Sequence, residues 1–459
     1  MRDDYRTETD SMGDVRVPRD APWGAQTQRA LDNFDLSGRT MPGAFVRALA
    51  LLKAAAARSN VALEQLDPER GEAIARAADR VAEGGHADAF PVDVYQTGSG
   101  TSSNMNANEV LARLAADAAG LDISPNDHVN LGQSSNDVIP SALHLAAALQ
   151  IREALEPALT ALVAAIDARA REFADLAKTG RTHLMDAMPL TLGQEFGAWS
   201  SQIGAVLDRL ADSRSRLHRL ALGGTAVGTG INAHAQFAQR TIAELSRHTG
   251  LDLTPDPDRF RALSSQDTAS EVSGQLRTGA VAVMKIANDL RWMNSGPLAG
   301  LGEVELEALQ PGSSIMPGKV NPVLPEAAAM AAARIIGNDT TITVAAQSGN
   351  FQLNVMLPLI ADTLLESIEL LAGAARALDR TIAGLRPRRE SMQAPLARNP
   401  VLVTALNPVI GYLKAAEIAK QAYSQGRPIL DVAEEMTDLD RTELERLLDP
   451  VRLTRGGLD

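Results

Sequence analysis

Residues 311–322, PGSSIMPGKVNP, gather two serines, a lysine and an asparagine between glycines and prolines. The closest general pattern is the phosphate loop. That loop needs Gly, four residues, Gly-Lys and a hydroxyl residue, so that backbone N–H groups wrap phosphate and the hydroxyl meets magnesium. Here five residues, Ser313 to Pro317, separate Gly312 from Gly318, and Val320 stands at the magnesium-ligand position. Pro317 and Pro322 also remove N–H donors from a motif built on donating them. A nucleotide cradle is excluded. What remains is an anion clamp: Ser313 and Ser314 follow Gly312 and can move, while Lys319 and Asn321 sit in a stiffer, Pro-bracketed stretch. The bland alternative is a Gly/Pro surface turn with an exposed lysine.

Two further clusters, TGSGTSSNMNANE (97–109) and LGQSSND (131–137), are dense in Ser, Thr and Asn, and each precedes a helical pattern. Asn104, Ser135 or Asn136 could simply cap those helices. Two such clusters at helix N-termini favour an anion site, because the dipole and free N–H groups attract carboxylates. Among seven histidines, His183 stands out in a Gly- and Thr-containing loop beside Arg181 and Thr182; the others occur singly in helical or turn contexts. The chain has no cysteine, which excludes disulfides, thiolate metal sites and a cysteine nucleophile. No metal-ligand spacing occurs, and GGTAVGTG (223–230) lacks the dinucleotide glycine pattern. Hydroxyls, amides, one histidine and a few cations suit proton chemistry on a small carboxylate better than redox or phosphoryl transfer.

Those groups need rigid supports. With 459 residues, 45% apolar and only 3% aromatic, the chain reads as a helical globular protein of two or three domains. A formal charge of −13 opposes nucleic acid and anionic membranes as partners. The start lacks a basic-then-apolar leader, and no long uncharged apolar run occurs; a cytoplasmic, membrane-free protein is expected. Helical patterns run over 43–66, 69–83, 106–119, 137–174, 192–221, 261–293, 323–346 and 358–385, while the first forty residues read as extended segments and turns. In the 137–174 stretch, Leu145, Leu159 and Ile166 share one heptad track and Ala148, Leu155 and Leu162 another, so Pro157 should kink the helix without ending it. The stretches 179–191, 222–236 and 306–326 read as polar, Gly-rich connections, where catalytic groups tend to sit. Rods this apolar on several sides suggest a bundle shared between copies of the chain.

GSSIMPGKVNP (312–322) resembles the signature of the fumarase/aspartase superfamily. DSMGDVRVPRDAPWGAQTQRA (10–30), TGSGTSSNMNANEV (97–110), QSSND (133–137), GRTHLMDAMPLTLGQEF (180–196), GGTAVGTGIN (223–232) and LNPVIGYLKAAEIAKQA (406–422) extend the likeness to class II fumarate hydratases along nearly the whole chain. The resemblance implies a mainly α fold in three parts: an N-terminal mixed domain (1–133), a central long-helix domain (134–390) and a small C-terminal helical domain (391–459). It implies a homotetramer around a twenty-helix core, three subunits at each active site, and cofactor-free, reversible hydration of fumarate to L-malate. Carried over, Ser313 would be the base that removes the C3 proton of malate. Lys319 and Asn321 would hold the carboxylate that becomes an aci-carboxylate, and His183, paired with Glu326 of another subunit, would serve the departing hydroxyl. Ser99, Gly100, Thr101, Ser134, Ser135, Asn136, Thr182, Ser314 and Val320 would complete the pocket. A second carboxylate site would fall at Ser124, Pro125, Asn126 and Asp127, but the family's usual His is Ser124 here, which favours a plain turn. Ser102 stands where fumarases often have Gln and is aspartase-like. The rivals are aspartate ammonia-lyase, which shares fold and intermediate, and a non-catalytic crystallin-like relative.

Overall fold

The computed structural model describes residues 4–457. Helices dominate it, and each of its small sheets has two strands. The chain opens with an antiparallel hairpin, β1 (Tyr5–Asp10) and β2 (Gly13–Pro18). Then follow α1 (Ala25–Asn33), α2 (Gly43–Ala62), α3 (Pro68–Ala82), α4 (Thr101–Ala119), α5 (Ser135–Gln150) and α6 (Glu156–Glu172). A second hairpin, β3 (Ala177–Thr182) and β4 (Met185–Thr191), leads to α7 (Leu192–Leu217), α8 (Phe237–Thr249), α9 (Arg259–Ser264) and α10 (Asp267–Met293). Two more long helices, α11 (Val323–Ala346) and α12 (Leu357–Gly384), precede a tail of short helices. Among the described residues, no helix is long and apolar enough to cross a membrane.

Two compact units divide the chain, and α6, α7, α10, α11 and α12 each contribute to both. The first unit comprises the described chain to Pro157, Asp208–Ala280 and Ala333–Ala372. Its core is α2, alanine-rich and buried on most sides, packed against α3, α5 and α8. The second comprises Ala158–Leu207, Val281–Ala332 and the chain from Gly373. There Phe196 stacks on Trp199 at 4.5 Å between ring centroids and meets Phe173 edge-on at 5.7 Å. A separate cluster in the tail is built on Leu402, Leu406, Ile418, Val432 and Leu444.

Both heptad tracks are buried: Leu145, Leu155, Leu159, Leu162 and Ile166 are 0% exposed and Ala148 is 3%. The helix does continue past Pro157, through a π-helical turn at Ile151–Leu155 in which the Glu156 N–H reaches the Ile151 carbonyl. The wider turn absorbs the missing N–H and the ring of proline without a break.

Three expectations need correction. Helix α4 begins at Thr101, five residues ahead of the pattern at 106, because its polar side chains find partners on neighbouring segments outside the helix. Asn104 donates to Ser135 Oγ (3.0 Å), Asn106 to the Ala89 carbonyl (3.0 Å), and Ser103 to Gln96 (2.9 Å). The first forty residues include helix α1, which needs the distant Glu109 to accept from the N–H groups of Gly24, Gln26 and Thr27. The stretch 261–293 is two helices, α9 and α10, parted where Ser265 turns extended (φ −118°, ψ 138°).

His144 Nδ1 lies 2.9 Å from the Arg219 carbonyl and His218 Nδ1 lies 3.2 Å from that of Asp252. Burial pushes both imidazoles below their ordinary value. The unfolded chain therefore takes up these protons first as pH falls. Urea denaturation should show stability declining below about pH 6.5, and His144→Gln with His218→Gln should shrink that decline.

Candidate active site

In the first unit the two hydroxyl clusters sit at helix starts. Gly100 adopts a left-handed conformation (φ 73°) as N-cap of α4, and its own residue supplies no side-chain cap. Ser99 Oγ and Thr101 Oγ1, 2.8 Å apart, flank this end. The approach is tight: a Cβ on Gly98 would lie 1.8 Å from the Val355 carbonyl oxygen, so TGSG owes one glycine to backbone contact. At α5, Ser134 caps the helix through Asn136 N–H (3.3 Å) and forms a capping box with Asp137. The fully buried Asp137 also accepts from the N–H groups of Gly223 (2.8 Å) and Thr225 (2.9 Å), which fastens the GGTAVGTG segment beneath α5. Burial raises the Asp137 carboxyl, while those N–H donors and nearby Lys53 pull it back. Asn136 donates to the Ala226 carbonyl at 2.8 Å. None of the three capping candidates takes that role: Ser134 caps α5, Asn136 is turned to Ala226, and Asn104 donates to Ser135 Oγ between α4 and α5.

Ser124 heads a π-type turn at Pro125–Val129. Its hydroxyl is 2.9 Å from Asp127 Oδ2 and accepts the Asp127 N–H at 3.1 Å. Both ends of this hydroxyl are thus committed within the turn. Pro125, Asn126 and Asp127 line a cavity of about 660 Å³ that Arg6, Glu8, Asp10 and Glu109 also border.

In the second unit, the 179–191 stretch is the β3–β4 hairpin, which corrects its reading as a plain connection. Thr182 pairs with Met185, leaving His183 and Leu184 as a two-residue loop. Both have positive φ, 56° and 61°, the pattern of a type I′ turn. Neither is the Gly or Asn that such turns favour, so no hairpin signal is visible in the sequence. The strain is of order 1–2 kcal/mol per residue, and the hairpin's base offsets it. There Lys178, 2% exposed, reaches Glu195 and Glu303 at 2.7 Å each, and Arg181 reaches Glu303 at 2.8 Å. His183 is exposed at the tip.

The 312–321 loop closes on itself. Gly312 donates to the Lys319 carbonyl at 2.8 Å, and the Asn321 side-chain amide donates to the Gly312 carbonyl at 2.7 Å. A Cβ at 312 would fall 2.5 Å from Lys319 O, so this glycine permits the neck of the loop. Ser313 Oγ accepts two backbone N–H groups, from Ile315 (3.2 Å) and Met316 (3.0 Å). Two donors on a hydroxyl oxygen favour negative charge on it. Ser314, Lys319 and Val320 are exposed, and Glu326 lies in the first turn of α11. Among the described residues, no hydrogen bond joins His183 to Glu326 within the chain, and no cluster of three or more His, Asp or Glu has metal-binding geometry.

Sequence reasoning missed the supports. Asp137 was visible as the fourth residue of a Ser-x-x-Asp capping box; Lys178 and Glu303, far apart in the chain, carried no local signal. Lys178→Met should leave Glu303 buried with one cation fewer and cost about 3–5 kcal/mol, read by urea denaturation.

The family described as Lyase matches residues 13–337, and that described as Fumarase C C-terminus matches 402–455. A fumarate hydratase class II of Pseudomonas aeruginosa is 62% identical over 99% of this chain and 100% of its own length. One from Xylella fastidiosa is 59% identical over 99% of this chain and 97% of its own. The crystal structure of class II fumarase from Schistosoma mansoni superposes with a TM-score of 0.95 at 36% identity, covering 98% of this chain and 99% of the other. With its helical units, its GSSIMPGKVNP loop and these relatives in agreement, the chain belongs to the class II fumarate hydratase family and has the fumarase/aspartase fold.

Proposed function

We propose that the chain catalyses the reversible hydration of fumarate to L-malate without a cofactor. The observation that carries this reading is the environment of Ser313, whose Oγ accepts two backbone N–H groups in a loop that also holds Lys319 and Asn321 at its neck. Serine is a weak base at its free pKa, and donors already aimed at its oxygen lower the cost of the alkoxide-like state.

In the dehydration direction, from malate, Ser313 takes the C3 proton. The electron pair passes into the adjacent carboxylate, and the extra charge of the aci-carboxylate falls on the Lys319 ammonium and the Asn321 amide. Loss of the C2 hydroxyl then restores the carboxylate and leaves the double bond of fumarate. His183, set against Glu326 of another subunit, delivers a proton to the departing oxygen, through water or directly. Ser99, Gly100, Thr101, Ser134, Ser135, Asn136, Thr182, Ser314 and Val320 shape the pocket around the two carboxylates. The start of α4 supports this: Gln96 Oε1 takes the Ser103 N–H at 2.8 Å, and an anion beside Ser99 and Thr101 still meets the positive end of the dipole.

The homotetramer belongs to the same reading, as does the three-part division at 133 and 390. Helix α11 supports it: its mean character is apolar, yet Met330 is 69% exposed, Val344 51% and Ile336 37%. Such a surface on a rod of 24 residues asks for neighbouring copies. Ser124–Asp127 is proposed as a turn rather than a second carboxylate site, since the Ser124 hydroxyl is spent on Asp127. A cytoplasmic location accords with the reading.

The test is absorbance in the fumarate band. Malate should raise it and aspartate should not; the reverse would make the chain an aspartate ammonia-lyase, and neither would leave a scaffold. Ser313→Ala should keep the tetramer, by light scattering, while cutting turnover by orders of magnitude, and a modest loss would reassign the base. Activity should survive chelators; reversal of EDTA inactivation by added metal would overturn the cofactor-free reading.

A further inference from the structure

Lys53 lies in the middle of α2, within the apolar run LALLKAAAA, and is 0% exposed. Among the described residues no carboxylate hydrogen-bonds it, and Asp137 acts on it only through its charge. Its ammonium reaches Gln133 Oε1 at 2.9 Å and Asn130 Oδ1 at 3.1 Å, both neutral amides. Burying an ammonium on neutral partners is costly, and burial pulls this one down to about 7. A leucine or methionine would pack in a helix core without that cost, so the charge needs an account beyond packing.

The contacts supply one. Asn130 Oδ1 accepts not only from Lys53 but from the side-chain amides of Asn104 (3.1 Å) and Asn108 (3.2 Å) on α4. Asn104 in turn donates to Ser135 Oγ at the start of α5. Gln133, the second acceptor, precedes Ser134 and ties back to the carbonyls of Val129 (3.0 Å) and Leu131 (3.3 Å). One buried cation thus stands at the junction of three parts: the helix that begins at Thr101, the 129–134 loop, and the helix that begins at Ser135. The starts of those two helices carry the hydroxyls and amides assigned above to the dicarboxylate.

We propose that Lys53 is a positioning residue for the substrate: by gripping Asn130 and Gln133 it sets the Ser99–Thr101 and Ser134–Asn136 clusters at a fixed separation, and it places a positive charge beneath both. The inference rests on the proposed function, because it takes those clusters to be the substrate's. The effect falls on binding. Groups that hold the carboxylates act on the ground state and the transition state alike, so loosening them raises KM and leaves kcat nearly alone. While protonated, the amine works in the same sense, and because burial pulls it down to about 7 this charge fades above neutral pH. The protein carries a net −13, so a dianion gains from a cation shielded from salt by the core.

The experiment measures kcat and KM for malate in the intact wild-type protein and in Lys53→Met, with urea denaturation of both. Lys53→Met should raise KM at least tenfold and hold kcat within about threefold. An unchanged KM beside lowered stability would make Lys53 merely structural and overturn the proposal; so would a fall in kcat at constant KM. Should Lys53→Met not fold, Gln133→Leu, on a partly exposed loop, removes one of the two acceptors and should raise KM severalfold; an unchanged KM there also overturns it. The wild type separates the two levels of argument. If it converts malate and the variants keep its KM, the inference fails alone, whereas a wild type inert toward malate fails the proposed function first.

Discussion

Buried carboxylates that collect backbone N–H groups hold the first unit's loops in place. Asp93 accepts from the N–H groups of Ser37, Gly38 and Tyr95, Glu109 from Gly24, Gln26 and Thr27, and Asp137 from Ser134, Gly223 and Thr225. Each joins a segment that has no hydrogen-bonding ladder of its own to a helix or turn remote in sequence. A buried carboxylate is tolerable only when its lone pairs are filled, and a loop N–H is tolerable only when it finds an acceptor. The two needs cancel at these points. The polar loops can therefore lie against an alanine-rich core without losing a defined shape.

The second unit uses ion pairs for the same end. The hairpin bearing His183 has two consecutive left-handed residues at its tip, and the Lys178–Glu303–Arg181 group at its base is fixed firmly enough to keep that turn. The 312–321 loop relies on neither device. It closes through its own backbone and the Asn321 amide, and the Ser313 hydroxyl oxygen accepts two of its own N–H groups. Stored strain at His183 and preorganised donors at Ser313 are features of sites that act on charge as it develops.

Rigid helices make these arrangements transmissible. The heptad residues from Leu145 to Ile166 are shut off from solvent, and the π turn before Pro157 keeps the axis running where a proline would otherwise end it. Clusters at helix ends then inherit the stiffness of the whole rod, which suits the fixed spacing that the proposed dicarboxylate site requires.

Much of the fold, and the residues of the candidate site, stood out from residue order alone. The long helices followed from apolar periodicity, and the loop at 312–322 was visible as a group of chemically able residues with glycine and proline at definite places. These are local properties, set by the steric and hydrogen-bonding demands of a few neighbouring residues. Helix α1, the early start of α4 and the hairpin under His183 were not legible, because each depends on a partner far along the chain: Glu109 for α1, Asn130 and Ser135 for α4, Glu303 for the hairpin. Lys53 marks the boundary. Its oddity, a lone cation in an apolar run, is plain in the sequence, yet its meaning appears only when folding brings Asn130 and Gln133 to it. Local pattern determines which elements can form, and tertiary contact decides which polar groups find partners, since burial makes an unpartnered group too costly to keep.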